Sequence, residues 1–319
     1  DDALRAKAQK LQAKEKGFTL LELLVVVTLL ATLASAALVA YEGLGENAQA
    51  TASANDISTA ESSIRNYRAV EGEYPNQWDN LANLDGTAPG ATGVNQMLAA
   101  ETQAFIGQWT IDTTATTGTV AEAVAVALDQ VGMDEFQTLD EVTTFNANAA
   151  IPNLSWNESA PGVTAGGASE LEFDVDDVAG TLTAIEYDET VVAAGDVALS
   201  IYVSGGEDGG GAASSCTADG NSISTPMAGA AVTTNSALNL VNDALEGDQC
   251  SLVLAVGFGK DVPGTTIDSR VAIAQVPTAV TENVNPADEY ARYIALFQLA
   301  SDVDNSTIIE VDEVLPRPR

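Results

Sequence analysis

Histidine is absent from the 319 residues. Its absence removes the commonest general base and the commonest transition-metal ligand. No G-x-S-x-G nucleophile turn and no phosphate-binding P-loop occurs either. Bases are scarce: 12 Lys and Arg stand against 46 Asp and Glu, a net charge of −34. Binding of nucleic acid irrespective of sequence needs bases that displace counterions from phosphates, so no nucleic-acid partner is expected. Aromatic residues make up 5% of the chain, too few for a conduction path of stacked rings. Cysteine occurs twice, as Cys216 and Cys250, with no C-x-x-C-H for covalent haem. Paired carboxylates occur throughout so acidic a chain and single out no catalytic pair. These absences predict a protein that is not an enzyme and has no cofactor, a possible calcium ion apart.

What is present is one long apolar run, from Phe18 to Tyr41, in which Glu22 is the single ionisable side chain before the tyrosine. At 1.5 Å per residue such a helix measures about 36 Å, enough to cross a hydrocarbon core of about 30 Å. Arg5, Lys7, Lys10, Lys14 and Lys16 precede it and predict a cytoplasmic N-terminus. An ordinary signal peptide or anchor shares this outline, and Ala34-Ser35-Ala36 offers a peptidase site. Glu22 argues otherwise. A carboxylate in a membrane helix costs about 2.5–3.5 kcal/mol at the centre and less near an interface, and usually has a partner. The nearest bases lie before Gly17, so no partner within the chain is expected.

Lys16-Gly17-Phe18-Thr19-Leu20-Leu21-Glu22 resembles the processing site of type IV pilins and type II secretion pseudopilins. The resemblance covers roughly residues 10–80. It implies that a prepilin peptidase cuts between Gly17 and Phe18, that the new N-terminal Phe18 is methylated, and that the apolar helix is kept. Glu22 would then meet the Phe18 amine of a neighbouring subunit, a pairing that neutralises an otherwise costly buried charge. Tyr67, Gly72, Tyr74 and Pro75, followed by Trp78 and Leu81, are similar to the segment after the long helix in major pseudopilins. Many relatives have a helix-breaking proline near position 39; this chain has none between Phe18 and Pro75. A bend or melted segment is therefore expected near Glu42–Glu46, where Gly43 and Gly45 each weaken a helix by about 1 kcal/mol.

The expected fold is α+β: a long N-terminal helix packed on a C-terminal antiparallel sheet, with a helical insertion. Residues 1–17 read as the leader. Residues 18–72 read as the long helix, with 18–41 as its membrane or filament-core part. Residues 73–161 read as a mixed helical insertion, with helices over Val94–Trp109 and Thr119–Val131. The second could also be a strand, but its alanine content and length favour helix. Residues 162–319 read as a β-rich unit with strands over Glu170–Val175, Thr181–Tyr187, Asp196–Val203, Cys250–Phe258, Arg270–Val276, Tyr290–Leu299 and Thr307–Val314. A short helix is expected over Ser236–Leu245.

Cleavage at Gly17 leaves seven bases against 43 acids, a net charge of −36. Such a surface is well solvated and self-repelling. It suits a saline habitat, the preferred reading, or simply keeps filaments dispersed. Cys216 and Cys250 fit one disulfide in an oxidising exterior, worth up to about 3–4 kcal/mol on a chain-entropy argument; two free thiols are the alternative. Some major pseudopilins, by the resemblance, hold calcium in C-terminal loops. Asp174, Asp176, Asp177 and Asp219 are the candidate ligands here, with Glu207 and Asp208 in a glycine run. There is no EF-hand loop, and in so acidic a chain solvated loops are the simpler reading.

Two functions compete. One is the subunit of an extracellular or periplasmic filament, held in the inner membrane before assembly, with prepilin peptidase and the assembly machinery as partners and copies of itself as the homo-polymer. The other is a minor pilin or pseudopilin whose enlarged domain binds a ligand or a secreted substrate.

Overall fold

The computed structural model describes residues 19–82, 98, 100–112, 117–138, 170–176, 178–187, 190–191, 196–204, 216–227, 250–258, 293–304 and 306–318. The expected leader, the helix over Ser236–Leu245 and the strand over Arg270–Val276 lie outside the described residues. The chain divides into two compact units, Asp1–Asn55 and Asp56–Arg319.

In the first unit the described element is the start of helix α1, Leu20–Glu71, which is 52 residues long. The stretch Leu20–Leu38 has a mean hydropathy of 2.3 and none of it is buried. Leu20 is 84% exposed and Leu38 68%. A leucine-rich helix with no apolar cover from its own chain is long enough to cross a membrane. The helix runs unbroken through Gly43 and Gly45, so the melted segment expected near Glu42–Glu46 does not occur. Helix propensity is a weak prior, and two glycines at about 1 kcal/mol each do not interrupt a continuous hydrogen-bond ladder.

The second unit holds the C-terminal part of α1 and two sheets. Ala60 and Tyr67 are buried on it, with Ile64 packed alongside, a three- and four-residue spacing that keeps one face inward. Gly72 ends the helix at φ +91°, a left-handed conformation that glycine adopts without strain. The main sheet has nine strands. They are β1 (Trp78–Asn80), β2 (Ile106–Asp112), β3 (Glu135–Thr138), β4 (Glu170–Asp176), β5 (Thr181–Tyr187), β6 (Thr190–Val191), β7 (Asp196–Tyr202), β10 (Ser251–Phe258) and β11 (Tyr293–Ser301). Their order is β2-β7-β10-β1-β3-β4-β5-β6, and β11 also pairs with β10. A second sheet, β12-β8-β9, joins Ile308–Ile309, Thr217–Ala218 and Asn221–Ser222. The sheets are mixed rather than antiparallel throughout, because β1 pairs β3 in parallel and β12 pairs β8 in parallel. The fold class is thus α+β, a long apolar helix followed by a large mixed sheet with few helices.

Strands from 73–161 and from 162 onward share one sheet. The helix expected over Val94–Trp109 is replaced by a four-residue helix α2, Ala100–Gln103, and by strand β2. Helix α3 does form over Val120–Asp129, burying Val120, Ala121, Val124, Ala125 and Leu128. Position 107 must be small, since a Cβ there would lie 2.5 Å from the Thr225 carbonyl oxygen.

Strand β10 is buried at all eight positions, as a continuous apolar run on both faces of a sheet requires. It is also where the sheet forks. Strand β11 lies along its whole length. On the other edge of β10, β7 pairs with Val253 and Leu254, whereas β1 pairs with Val256 and Gly257. At the fork Asn80 Nδ2 donates to the Ala198 carbonyl (2.9 Å) and Asn80 Oδ1 accepts the Ser200 N–H (2.9 Å). Ser200 Oγ accepts the Leu81 N–H (2.9 Å) and donates to the Ala255 carbonyl. Both side chains are buried and supply partners that the parting strands cannot give each other. Trp78 packs edge-on against Phe258 and Phe297 beside this joint.

Candidate assembly site and the acidic sites

Helix α1 opens with a reciprocal pair. Thr19 Oγ1 accepts the Glu22 N–H at 3.2 Å, while Glu22 Oε2 accepts both the Thr19 N–H and the Thr19 hydroxyl at 2.9 Å. This is a capping box, which satisfies donors that a helix start otherwise leaves open. Glu22 therefore has a partner within its own chain, correcting the expectation of none. The spacing Thr19-x-x-Glu22 was there to be read, and a search for charges alone passes over it. The carboxylate also sits at the positive end of the helix dipole. Its other oxygen, Oε1, takes part in none of these bonds. Chemically, one face of the carboxylate is fixed to the backbone and the other can accept an ammonium. Gly17 and Phe18 lie outside the described residues.

Cys216 and Cys250 form a disulfide with a Cα–Cα distance of 5.7 Å. Both are buried. The bridge fastens the hairpin β8–β9 to the start of β10. That hairpin reaches across to the main core: the Trp109 indole N–H donates to the Ala218 carbonyl at 3.1 Å. Asn221 Nδ2 donates to the Thr110 carbonyl at 2.8 Å.

The calcium candidates are not brought together. Asp219 caps helix α3, accepting the Val120 N–H (2.9 Å) and the Ala121 N–H (2.8 Å). Asp176 caps its own turn, accepting the N–H groups of Val178 and Ala179 (2.8 and 2.7 Å), and those bonds hold its carboxyl below the usual range. Asp174 accepts the Thr183 hydroxyl. Asp177, Glu207 and Asp208 lie outside the described residues.

Among the described residues, the carboxylates that do converge are Asp302, Asp304 and Glu313, within 4.8 Å of one another. Asp302 is fully buried and accepts three N–H groups, from Asp304 (3.1 Å), Ser306 (3.2 Å) and Thr307 (2.8 Å). Glu313 accepts the N–H groups of Val303 and Glu310 (2.7 and 3.0 Å). An oxygen-only donor set suits a hard cation such as calcium. Here much of its acceptor capacity already holds the loop. Sequence reading missed this group because Glu313 comes a strand and a turn after the two aspartates.

A third acidic feature crosses the sheet. Glu135 stands opposite Glu172, and Glu172 opposite Glu186. Partial burial first, and then the charges of Glu135, Asp134, Glu186 and Asp174, push the Glu172 carboxyl above its ordinary value.

A family model, the prokaryotic N-terminal methylation motif, matches residues 12–38. Comparison with curated proteins and with solved structures gives no match. The chain thus carries the prepilin-type motif of type IV pilins and pseudopilins. That motif implies processing by prepilin peptidase and entry into pilus-like assembly machinery. With the apolar helix Leu20–Leu38 it fits anchoring in the membrane before assembly.

Proposed function

We propose that this protein is the structural subunit of a pilus-like filament, cut between Gly17 and Phe18 and polymerised through its N-terminal helix. The observation that carries this reading is the motif at residues 12–38 together with the apolar stretch Leu20–Leu38, none of which is buried. Neighbouring copies would supply cover, and the half-committed Glu22 carboxylate would receive the Phe18 amine of the next copy. Polymerisation of this kind is heterologous and does not close. The reading assigns no catalytic role and no nucleic-acid partner, supported by a sequence without histidine and with few bases. The filament stands outside the cell or in the periplasm, where the buried disulfide is stable.

A second reading is a minor pilin or pseudopilin at a filament tip, whose large domain binds a ligand or secreted substrate. The second unit favours it, with a nine-stranded and a three-stranded sheet among the described residues, more than a minimal coat needs. Intact mass and N-terminal sequence of the native chain test both. A chain starting at Phe18 and one methyl group heavier supports the pathway; a chain still carrying Gly17 defeats it. Abundance in isolated filaments then separates the two, since a main subunit dominates them.

A further inference from the structure

We infer that Asp302 and Ser204 are positioning residues for the thiol–disulfide chemistry of Cys216 and Cys250, each holding the two cysteines together through a hydrogen-bonded bridge. The inference concerns the second unit alone and does not rest on the filament reading.

The cysteines are 34 positions apart, and closing a loop of that length costs entropy. Any other tie between the same two points lowers that cost and raises the effective concentration of one thiol at the other. Two such ties flank the bond. The first is the turn after β11. The Asp302 N–H donates to the Cys250 carbonyl at 2.9 Å. The Asp302 carboxylate accepts the N–H groups of Asp304, Ser306 and Thr307, which holds the turn. The Thr307 carbonyl accepts the Thr217 N–H at 3.0 Å, and Ile308 and Ile309 then run parallel to Thr217 and Ala218. This bridge starts on Cys250 and ends on the neighbour of Cys216.

The second bridge runs the other way. Ser204 Oγ accepts the N–H of Ser251, the neighbour of Cys250, at 2.9 Å. The Ser204 N–H donates to the Ile223 carbonyl at 2.9 Å, and the Ile223 N–H donates to the Cys216 carbonyl at 3.0 Å. Asp302 and Ser204 are 0% and 5% exposed, so their bonds act at low local dielectric. The bonds from Trp109, Asn221 and Asp219 tie the hairpin β8–β9 to β2 and α3 rather than to β10.

Exchange with a small disulfide, such as glutathione disulfide, shows where the bridges act. One protein thiol loses its proton and attacks an oxidant sulfur, and one glutathione leaves and is protonated. The second protein thiol loses its proton and attacks the protein sulfur of the mixed disulfide, and the other glutathione leaves and is protonated. Two protein thiols are oxidised and one glutathione disulfide is reduced. The second step is intramolecular, and the bridges favour it by fixing the geometry of attack. The bond therefore closes in a milder oxidant than a bond across a free loop would need.

The test equilibrates the full chain, in detergent micelles, with glutathione buffers of graded ratio. Free thiols are trapped by alkylation and counted by mass spectrometry. Circular dichroism checks that each variant is folded in both redox states. Asp302→Ala should need a buffer about tenfold more oxidising for half closure, the effect of losing one or two buried hydrogen bonds. Ser204→Ala should shift the midpoint in the same direction by less. Asp302→Asn keeps one acceptor oxygen and should fall between wild type and alanine. Phe173→Leu lies on β4, three strands from β10 in the sheet, and should keep the wild-type midpoint although it is less stable. If neither Asp302 variant folds, Ser204→Ala decides. A midpoint that stays in place in the folded variants overturns the inference. An equal shift in Phe173→Leu overturns it too, because the bond would then follow overall stability.

Discussion

The two units solve opposite problems with similar residues. From Leu20 to Leu38 the first places leucine, valine and alanine on every side of a helix, and none is buried. The second buries its apolar residues so fully that β10 has no exposed position. The same hydrophobic effect acts on both. In the second unit it is satisfied within the chain; in the first it can be satisfied only by lipid or by other copies. Stability should therefore reside in Asp56–Arg319 and assembly in the N-terminal helix, and substitutions should separate the two.

The largest expected effect is at Glu22. Glu22→Ala should leave membrane insertion and the melting of the second unit unchanged while abolishing sedimentable filaments. Normal filaments from this variant would collapse the comparison, because the apolar stretch Leu20–Leu38 would then assemble without its one charge. Next come changes confined to the second unit. Replacing both Cys216 and Cys250 with alanine should lower its stability by about 3 kcal/mol, read as a lower denaturant midpoint without reductant. An unchanged midpoint would mean that the β8–β9 hairpin holds without the bridge. Asp302→Ala removes an acceptor from three buried or part-buried N–H groups and should cost about 2–3 kcal/mol by the same measurement.

The smallest effect has the opposite sign. Glu172 is raised in the folded state by burial and like charges. The unfolded chain thus loses its proton at lower pH than the folded one. The resulting penalty is absent below the unfolded value of 4.5, accrues as pH rises from there through the folded value, and stays constant above it. Glu172→Gln should therefore stabilise the second unit at pH 7, by about 0.5 kcal/mol for a partly exposed like-charge row. The gain should vanish below pH 4.5 and shrink in high salt. A gain that persists at low pH would place its origin in packing rather than charge.

How far the sequence could be read follows the range of the forces involved. The long helix, its stop at Gly72 and helix α3 depend on local pattern and local caps, and Thr119 and Glu122 announce α3 much as Thr19 and Glu22 announce α1. Strand β10 was visible as an apolar run. Strand β2 was not, because what makes Ile106–Asp112 extended is β7, whose paired residues run from Asp196 to Tyr202. The parallel pairing of β1 with β3 has no local signature either. The assembly motif was legible because processing and capping both act on adjacent residues. The converging carboxylates of Asp302, Asp304 and Glu313 depend on a turn between Val311 and Glu313 that spacing alone does not reveal.

The fork at Asn80 has a consequence in time. Asn80 finds its partners Ala198 and Ser200 118 and 120 positions later in the chain, and β1 pairs with Val256 and Gly257 later still. Trp78 cannot be covered by Phe258 or Phe297 before those residues have been made. Synthesis runs from the N-terminus, so the first strand to emerge is among the last to be enclosed. Contacts this distant are slow to form, and an unpaired strand edge with an uncovered tryptophan is prone to aggregate while it waits. The nascent protein thus carries Trp78 uncovered through most of its own production, and whatever attends it over that interval is guarding β1.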